Sequence, residues 1–317
     1  MQRIARAKIN LCLHVVGRRA DGYHLLDGLT TFADLGDLVS LDQSASGAFL
    51  QVSCTNLPPD SEVVPAHTGN LAWRALAAVH REASAQGRLS DGSGGTITLS
   101  IEKIIPSGAG LGGGSADAAA TLKLVNEALG GPVGPDRLAE IGLALGADVP
   151  VCLAESSRRV QGIGDILSPV AGLSPLPAVL IWPGAPVSTP EVFRSRQGAF
   201  DRPLSEADLN RVLSDPIGGL SALHNGLTEA AIAVEPRIAD ALRALKTFNT
   251  CRLARMSGSG SAVFGLFETQ GQADSAAGTL QTAHPNWWGA GHRSGRMNRS
   301  PRRRSRVILS GMTLQMP

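Results

Sequence analysis

With 317 residues, a formal net charge of +2, 43% hydrophobic and 18% charged residues, the chain can bury two sizeable cores and lacks the charge excess of a dedicated nucleic-acid binder. No stretch approaches the roughly 20 apolar residues of a membrane span, and Met1 to Lys8 has no apolar signal core, so the expectation is a cytoplasmic protein. Cys12, Cys54, Cys152 and Cys251 are far apart, with neither metal-ligand spacing nor a disulfide framework, and read as reduced thiols.

Ile9, Leu11, Leu13 and Val15 alternate with Lys8, Asn10, Cys12 and His14, the period of a strand with one apolar and one polar face. Lys8 and Asn10 therefore project together. A lysine this near an N-terminus is ordinarily a solvated charge, so Lys8 gains interest only from partners elsewhere. Gly17 to Gly22 is a turn, and a second strand begins at Tyr23, the only tyrosine. At the mouth of this hairpin Tyr23 can stack on a base and His24 can hydrogen-bond it; spacing alone favours a ring capping the core edge beside an exposed histidine. Leu38 to Leu50 reads as another hairpin and Pro58 to Thr68 as a loop. Asn70 is placed to cap a helix carrying Leu71, Ala75, Leu76 and Val79, and Gln86 to Gly95 is a Gly- and Ser-rich loop.

The most informative stretch is Pro106, Ser107, Gly108, Ala109, Gly110, Leu111, Gly112, Gly113, Gly114, Ser115 and Ala116. It follows a β-like run from Thr96 to Ile105 and precedes Ala118, Leu122, Val125 and Leu129 at helical spacing. A flexible linker is the usual reading of a glycine cluster, but a linker does not sit between two elements that each need a buried face. Glycines let main-chain N–H groups approach an anion, and a helix N-terminus adds unpaired N–H groups and a positive dipole end. The order strand, glycine loop, helix is thus a phosphate cradle. It is not the dinucleotide fingerprint, because Glu127, near the required acidic offset, lies inside the helix. Nor is it the Gly-Lys-Ser/Thr loop, because Gly113 is followed by Gly114 and Ser115 rather than lysine.

Gly130 to Pro132 stops the cradle helix, and a short helix runs from Asp136 to Leu145. Asp148, two residues before Pro150, reads first as a helix cap, with a buried acid or base as the open alternative. Arg158 to Gly164 is a turn-rich strand region, Leu173 to Pro177 an interdomain joint, and Ala178 to Trp182 a buried strand running toward Phe193. Helical stretches follow, one carrying Leu223, Leu227 and Ala231 and one carrying Ile238, Leu242 and Leu245. Arg252 to Met256 and Ala262 to Phe267 form a strand pair around Ser257 to Ser261, a second small-residue loop that can share an anionic ligand with the first.

Pro106-x-x-x-Gly-Leu-Gly-Gly-Gly-Ser-Ala-Asp-Ala-Ala119 resembles the ATP-binding motif of the GHMP kinases. Ala7-Lys-Ile-Asn-Leu11 with Gly17-x-Arg-x-Asp-Gly-Tyr-His24, Leu145-Gly-Ala-Asp-Val-Pro150, and Met256-Ser-Gly-Ser-Gly-Ser261 resemble one branch of that family, in the same order. The resemblance implies a two-domain α+β kinase. Residues 1–172 would form an ATP-binding domain like ribosomal protein S5 domain 2, and residues 173–288 a ferredoxin-like domain, with the active site between them. The implied reaction is ATP-dependent phosphorylation of the 2-hydroxyl of a methylerythritol carried on cytidine diphosphate, on the non-mevalonate route to isopentenyl diphosphate. Lys8 and Asp148 match the family's catalytic pair. Asn10, Tyr23 and His24 match positions that hold the cytidine diphosphate substrate, Phe193 an aromatic that stacks on cytosine, and Asn70 the adenine side. ATP and Mg²⁺ are the implied cofactors, with Ser115 helping to hold the metal, and a monomer or weak homodimer is expected.

An alcohol is a poor nucleophile near pH 7, so Asp148 would accept its proton while Lys8 pairs with that carboxylate and offsets charge near the transferring phosphoryl group. A GHMP kinase for homoserine or mevalonate is the rival, although it has no need of the Asp-Gly-Tyr-His hairpin. A non-catalytic nucleotide- or RNA-binding protein is the rival of another class. Beyond Trp288 the chain departs from the family: residues 289–317 contain seven arginines from Arg293 to Arg306 and read as a disordered tail changed by a frameshift or by engineered sequence. A basic arm for nucleic acid or an anionic surface is the alternative there.

Overall fold

The N-terminal alternation becomes a long hairpin in the computed structural model, which describes residues 1–42, 49–54, 69–87 and 97–289. In chain order the elements are β1 (Gln2–Arg18), β2 (His24–Asp42), β3 (Phe49–Cys54), α1 (Leu71–Ala85), β4 (Thr98–Lys103), α2 (Gly113–Ala128), α3 (Pro135–Leu145), α4 (Val149–Ala154), β5 (Arg158–Gly162) and β6 (Ile166–Pro169). After residues 170–177 come β7 (Ala178–Ile181), α5 (Thr189–Ser195), α6 (Glu206–Ser214), α7 (Pro216–Ser221), α8 (Thr228–Val234), α9 (Arg237–Lys246), β8 (Leu253–Met256), β9 (Val263–Leu266) and α10 (Gln270–Ala283). The sequence-expected loop from Pro58 to Thr68, most of that from Gln86 to Gly95, and the tail beyond Gly289 lie outside the described residues.

Elements β1 to β6 form one sheet and β7 to β9 another, giving an α+β architecture. In the first sheet, β2 gives one edge to β1 and divides the other: Leu26–Thr30 pair with β5, and Leu38–Asp42 pair with β4. Strand β4 runs antiparallel to β2 and parallel to β3, so it separates them. Leu38 to Leu50 is therefore not a hairpin. Alternation reports which face of a strand is buried and carries no information about its neighbour. Here Leu99 and Ile101 of β4 are fully buried in the cluster with α1 and α2, as suits a strand flanked on both sides, by β2 and by β3.

The expected polar face of β1 is also buried, with Lys8 and Asn10 each 7% exposed. The second half of the chain covers the edge of β1 that β2 leaves open. Leu13 N–H donates to His224 O (3.0 Å), Gly226 N–H to Leu13 O (2.8 Å) and Asp201 N–H to Val15 O (2.8 Å). This use of residues 224–226 also explains why the expected helix through Leu223 and Leu227 breaks into α7 and α8. The Asn225 side chain accepts from Leu227 N–H (3.0 Å), and its backbone bridges to Leu13.

Three apolar clusters result. One lies between the first sheet and α1/α2 (Leu76, Leu122), and one lies between the second sheet and α8 to α10 (Leu227, Leu245). The third runs along β1 and joins Leu11 and Ile105 to Trp182 and Phe264. Inside this third cluster the buried guanidinium of Arg255 donates to the carbonyls of Leu11 (2.6 Å), Leu220 (2.8 Å) and Leu223 (2.6 Å). A ferredoxin-like domain has four strands. Among the described residues the second sheet has three, and its β7 edge meets the bridge between Trp182 and Trp288 where the described chain ends. No described helix is long and apolar enough to cross a membrane.

Candidate active site

Lys8 sits mid-strand in β1 and Asp148 at the N-terminus of α4, 140 residues away in sequence, yet Lys8 Nζ lies 2.5 Å from Asp148 Oδ1. Asp148 occupies the cap position but makes no capping hydrogen bond, so its first sequence reading as a structural cap is corrected. Its carboxylate is spent on Lys8 instead. The lysine side chain is 8% exposed and the aspartate 44%, so the ammonium is fixed within the fold while the carboxylate opens onto solvent.

Beside this pair the glycine loop turns into α2. Gly108, Gly110 and Gly112 have φ of 71°, 75° and 66°, the left-handed region where a side chain is strained. Gly112 is the N-cap and offers no side chain to cap the helix, so the first N–H groups of Gly113, Gly114 and Ser115 carry no side-chain cap. A Cβ on Gly112 would come 3.2 Å from Lys8 Cβ, and one on Gly110 would run into the Gly260 carbonyl oxygen. The second small-residue loop thus buttresses the first. Ala262 N–H donates to Ala109 O (2.9 Å), and Ser257 Oγ accepts from Asn10 N–H (3.1 Å) and reaches Gly110 O (3.4 Å). Asn225 Nδ2 holds that second loop through the carbonyls of Met256 and Gly258, each at 2.8 Å. Gly110→Ala combines a positive φ with a backbone collision and is expected to cost about 1–3 kcal/mol of loop strain. Calorimetric titration with ATP should show affinity reduced roughly tenfold or more.

These parts wall a cleft of about 520 Å³, lined by Lys8, Asn10, residues 106–115, Asp148, Phe193 and Gly258. Asn10 Nδ2 donates to Thr30 Oγ1 (3.2 Å). Phe193, on α5, carries the His24 ring stacked against it at 5.1 Å and 27°. The His24 imidazole lies below its ordinary pKa, first through burial and then through Arg18 and Arg196, which favours the neutral ring. Tyr23 is 62% exposed and stands off the cleft wall, and Ala116 is buried behind it. Asn70 caps α1 as expected, its Oδ1 accepting from Ala72 N–H (2.9 Å), while the adjacent Leu71 reaches the cleft.

Sequence reasoning missed Thr189 and Ser259, cleft-lining residues whose hydroxyls meet at 2.7 Å and tie α5 to the second loop. Ser259 lies in the second small-residue loop that the sequence did mark, but no local pattern picks out its hydroxyl or Thr189. The four cysteines are free; burial pushes Cys152, one turn beyond Asp148, up to about 12 and Cys12 up to about 11, so neither supplies a thiolate nucleophile. Among the described residues no group of three His, Cys, Asp or Glu side chains is arranged to hold a metal.

A nest of main-chain donors, an ammonium–carboxylate pair and the Phe193 ring in one cleft, with His24 stacked on Phe193 outside the cleft lining, make a site for transferring phosphate from a polyphosphate to an alcohol. The GHMP kinases N terminal domain matches residues 70–156, and the GHMP kinases C terminal domain matches residues 213–286. The chain belongs to the GHMP kinase family and is an ATP-dependent small-molecule kinase. It is similar to the 4-diphosphocytidyl-2-C-methyl-D-erythritol kinases of Dinoroseobacter shibae (44% identity, covering 90% of this chain and 91% of that one) and Rhizobium meliloti (41%, 90% and 92%). Among solved structures, a 4-(cytidine 5'-diphospho)-2C-methyl-D-erythritol kinase superposes with a TM-score of 0.72 at 33% identity, covering 91% of this chain and 96% of that one. The mevalonate kinase of L. major shares the fold, with a TM-score of 0.62 at 15% identity, covering 91% and 94%.

Proposed function

We propose that the chain transfers the γ-phosphoryl group of ATP to the 2-hydroxyl of 4-diphosphocytidyl-2-C-methyl-D-erythritol, on the cytoplasmic non-mevalonate route to isoprenoid precursors. Residues 1–172 and 173–288 act as the two domains flanking the cleft. The observation that carries this reading is the 2.5 Å contact between Lys8 and Asp148 in the same cleft as the uncapped helix N-terminus and Phe193. Its specificity rests on the relatives reported above.

In this reading Asp148 accepts the hydroxyl proton as the oxygen attacks. Lys8 orients that carboxylate and offsets charge as it gathers on the phosphoryl oxygens. The N–H groups of the glycine loop and of Gly113 to Ser115 hold the phosphates in place. Magnesium fits as an ion held mainly by phosphate and water, since among the described residues no three His, Cys, Asp or Glu side chains form a cage for it, and Ser115, lining the cleft, supplies one hydroxyl. When bound, the ion neutralises phosphate charge. Phe193 and His24 take the cytosine, Asn10 holds the substrate near Lys8, Tyr23 offers a second ring from the solvent side, and Asn70 with Leu71 borders the adenine. The chain is expected to work as a monomer or weak homodimer, with no membrane or nucleic-acid partner.

Phosphorus NMR of the reaction product should show a new phosphomonoester on the methylerythritol 2-oxygen; a phosphate elsewhere, or none, would refute the assignment. Phe193→Ala should raise KM for the cytidylyl substrate by roughly tenfold, in line with about 1–3 kcal/mol for stacking a base on a ring. KM for ATP should barely change. Equal effects on both constants would remove Phe193 from base recognition.

A further inference from the structure

Beneath the glycine loop, outside the cleft wall, lies a buried ionic cluster that the catalytic reading does not use. Lys103 ends β4, three residues before Pro106, and its side chain is 2% exposed. Its Nζ donates to Asp37 Oδ2 on β2 and to Asp117 Oδ2 on α2, the latter at 2.7 Å. Asp37 Oδ1 accepts in turn from Ile104 N–H (2.6 Å) and Ile105 N–H (2.8 Å). Both aspartate side chains are at most 4% exposed.

Removing three charges from water is costly, and a well-packed apolar trio commonly stabilises a fold as well or better. What the cluster offers beyond stability is placement. Asp37 and Lys103 grip the chain where the phosphate loop starts, and Asp117 grips it one turn into the helix where the loop ends. The lysine also supports the first turn of α2 from below: a Cβ on Gly113 would come 3.3 Å from Lys103 Nζ and 3.1 Å from Ile105 Cγ2. The N–H groups that face the cleft therefore ride on this cluster.

We infer that Lys103, braced by Asp37 and Asp117, is a positioning residue for nucleotide binding: it fixes both ends of residues 106–116 so that their N–H groups meet the phosphates, without touching the nucleotide. The inference rests on assigning that loop to the phosphates of ATP. One lysine facing two aspartates leaves a negative charge in excess beneath an anion site. Asp117 is the member placed to relieve it: its Oδ1 has no hydrogen-bond partner, and burial raises its carboxyl above the usual carboxylate range, toward the neutral form. An uncharged amide at 117 should therefore serve as well as the carboxylate, and an alkyl group should not.

The test is calorimetric binding of ATP to the full chain without acceptor, alongside KM for both substrates. Lys103→Met and Asp117→Leu should weaken ATP binding roughly 10- to 100-fold, as displacement of positioning groups does. Asp117→Asn should stay within about threefold of the parent and KM for the cytidylyl substrate within about twofold. A triple variant, Asp37→Asn with Lys103→Met and Asp117→Leu, removes the buried charges together and is the control for folding. Thermal stability near that of the parent with ATP affinity still reduced supports positioning. Full recovery of ATP affinity in the triple variant, or unchanged ATP affinity in Lys103→Met, overturns it. A parent chain that binds ATP but does not phosphorylate the cytidylyl alcohol refutes the proposed acceptor and leaves this inference standing. A parent chain that binds no ATP refutes both.

Discussion

Asp148→Asn should lower turnover by roughly 10²- to 10⁴-fold, the usual worth of a positioned general base. The substitution preserves shape and removes the capacity to accept a proton. It removes no helix cap, because the Asp148 side chain makes no capping bond to α4, and the asparagine Oδ1 can still accept from the buried Lys8 Nζ. With ATP held by the glycine loop, as proposed, and not by this carboxylate, ATP affinity should stay within about twofold and the loss should appear in kcat. Steady-state kinetics with calorimetry on the same preparation separates the two effects. Turnover that survives unchanged would remove Asp148 from the chemistry.

Arg255→Met should lower the free energy of unfolding by about 3–5 kcal/mol, because three buried carbonyls lose their donors at once. Arg255 is 7% exposed and joins β1, through Leu11, to Leu220 and Leu223. Lysine should not rescue it, since a single ammonium cannot reproduce the forked geometry of a guanidinium. Thermal unfolding should shift downward on the order of 10 °C. A change under about 1 kcal/mol would show that water or a local shift satisfies those carbonyls without penalty.

What local pattern encodes was legible in the sequence. The hairpin turn at Asp21–Gly22, the Asn70 cap and the strand, glycine loop and helix around residues 106–116 follow from spacing and residue type over a few positions. The pairings that depend on distant segments were hidden. The polar face of β1 looked solvated because its cover, from Asp201 to Ser257, comes roughly 190 to 250 residues later. Leu38 to Leu50 passed for a hairpin because nothing local announces that β4 will insert between its strands. Lys103 and Asp37, 66 positions apart, carry no motif, and their value lies only in meeting beneath Gly113. Only the resemblance to the family pairs Lys8 with Asp148, since spacing alone favours a surface lysine and leaves Asp148 between a helix cap and a buried acid or base.

The most direct measurement is ADP release from ATP by the purified chain with 4-diphosphocytidyl-2-C-methyl-D-erythritol, homoserine or mevalonate as acceptor, the same series being run on Asp148→Asn. Release with the cytidylyl alcohol alone, abolished by the substitution, is the predicted result. Faster release with either of the other alcohols, or release that the substitution leaves intact, would contradict the account.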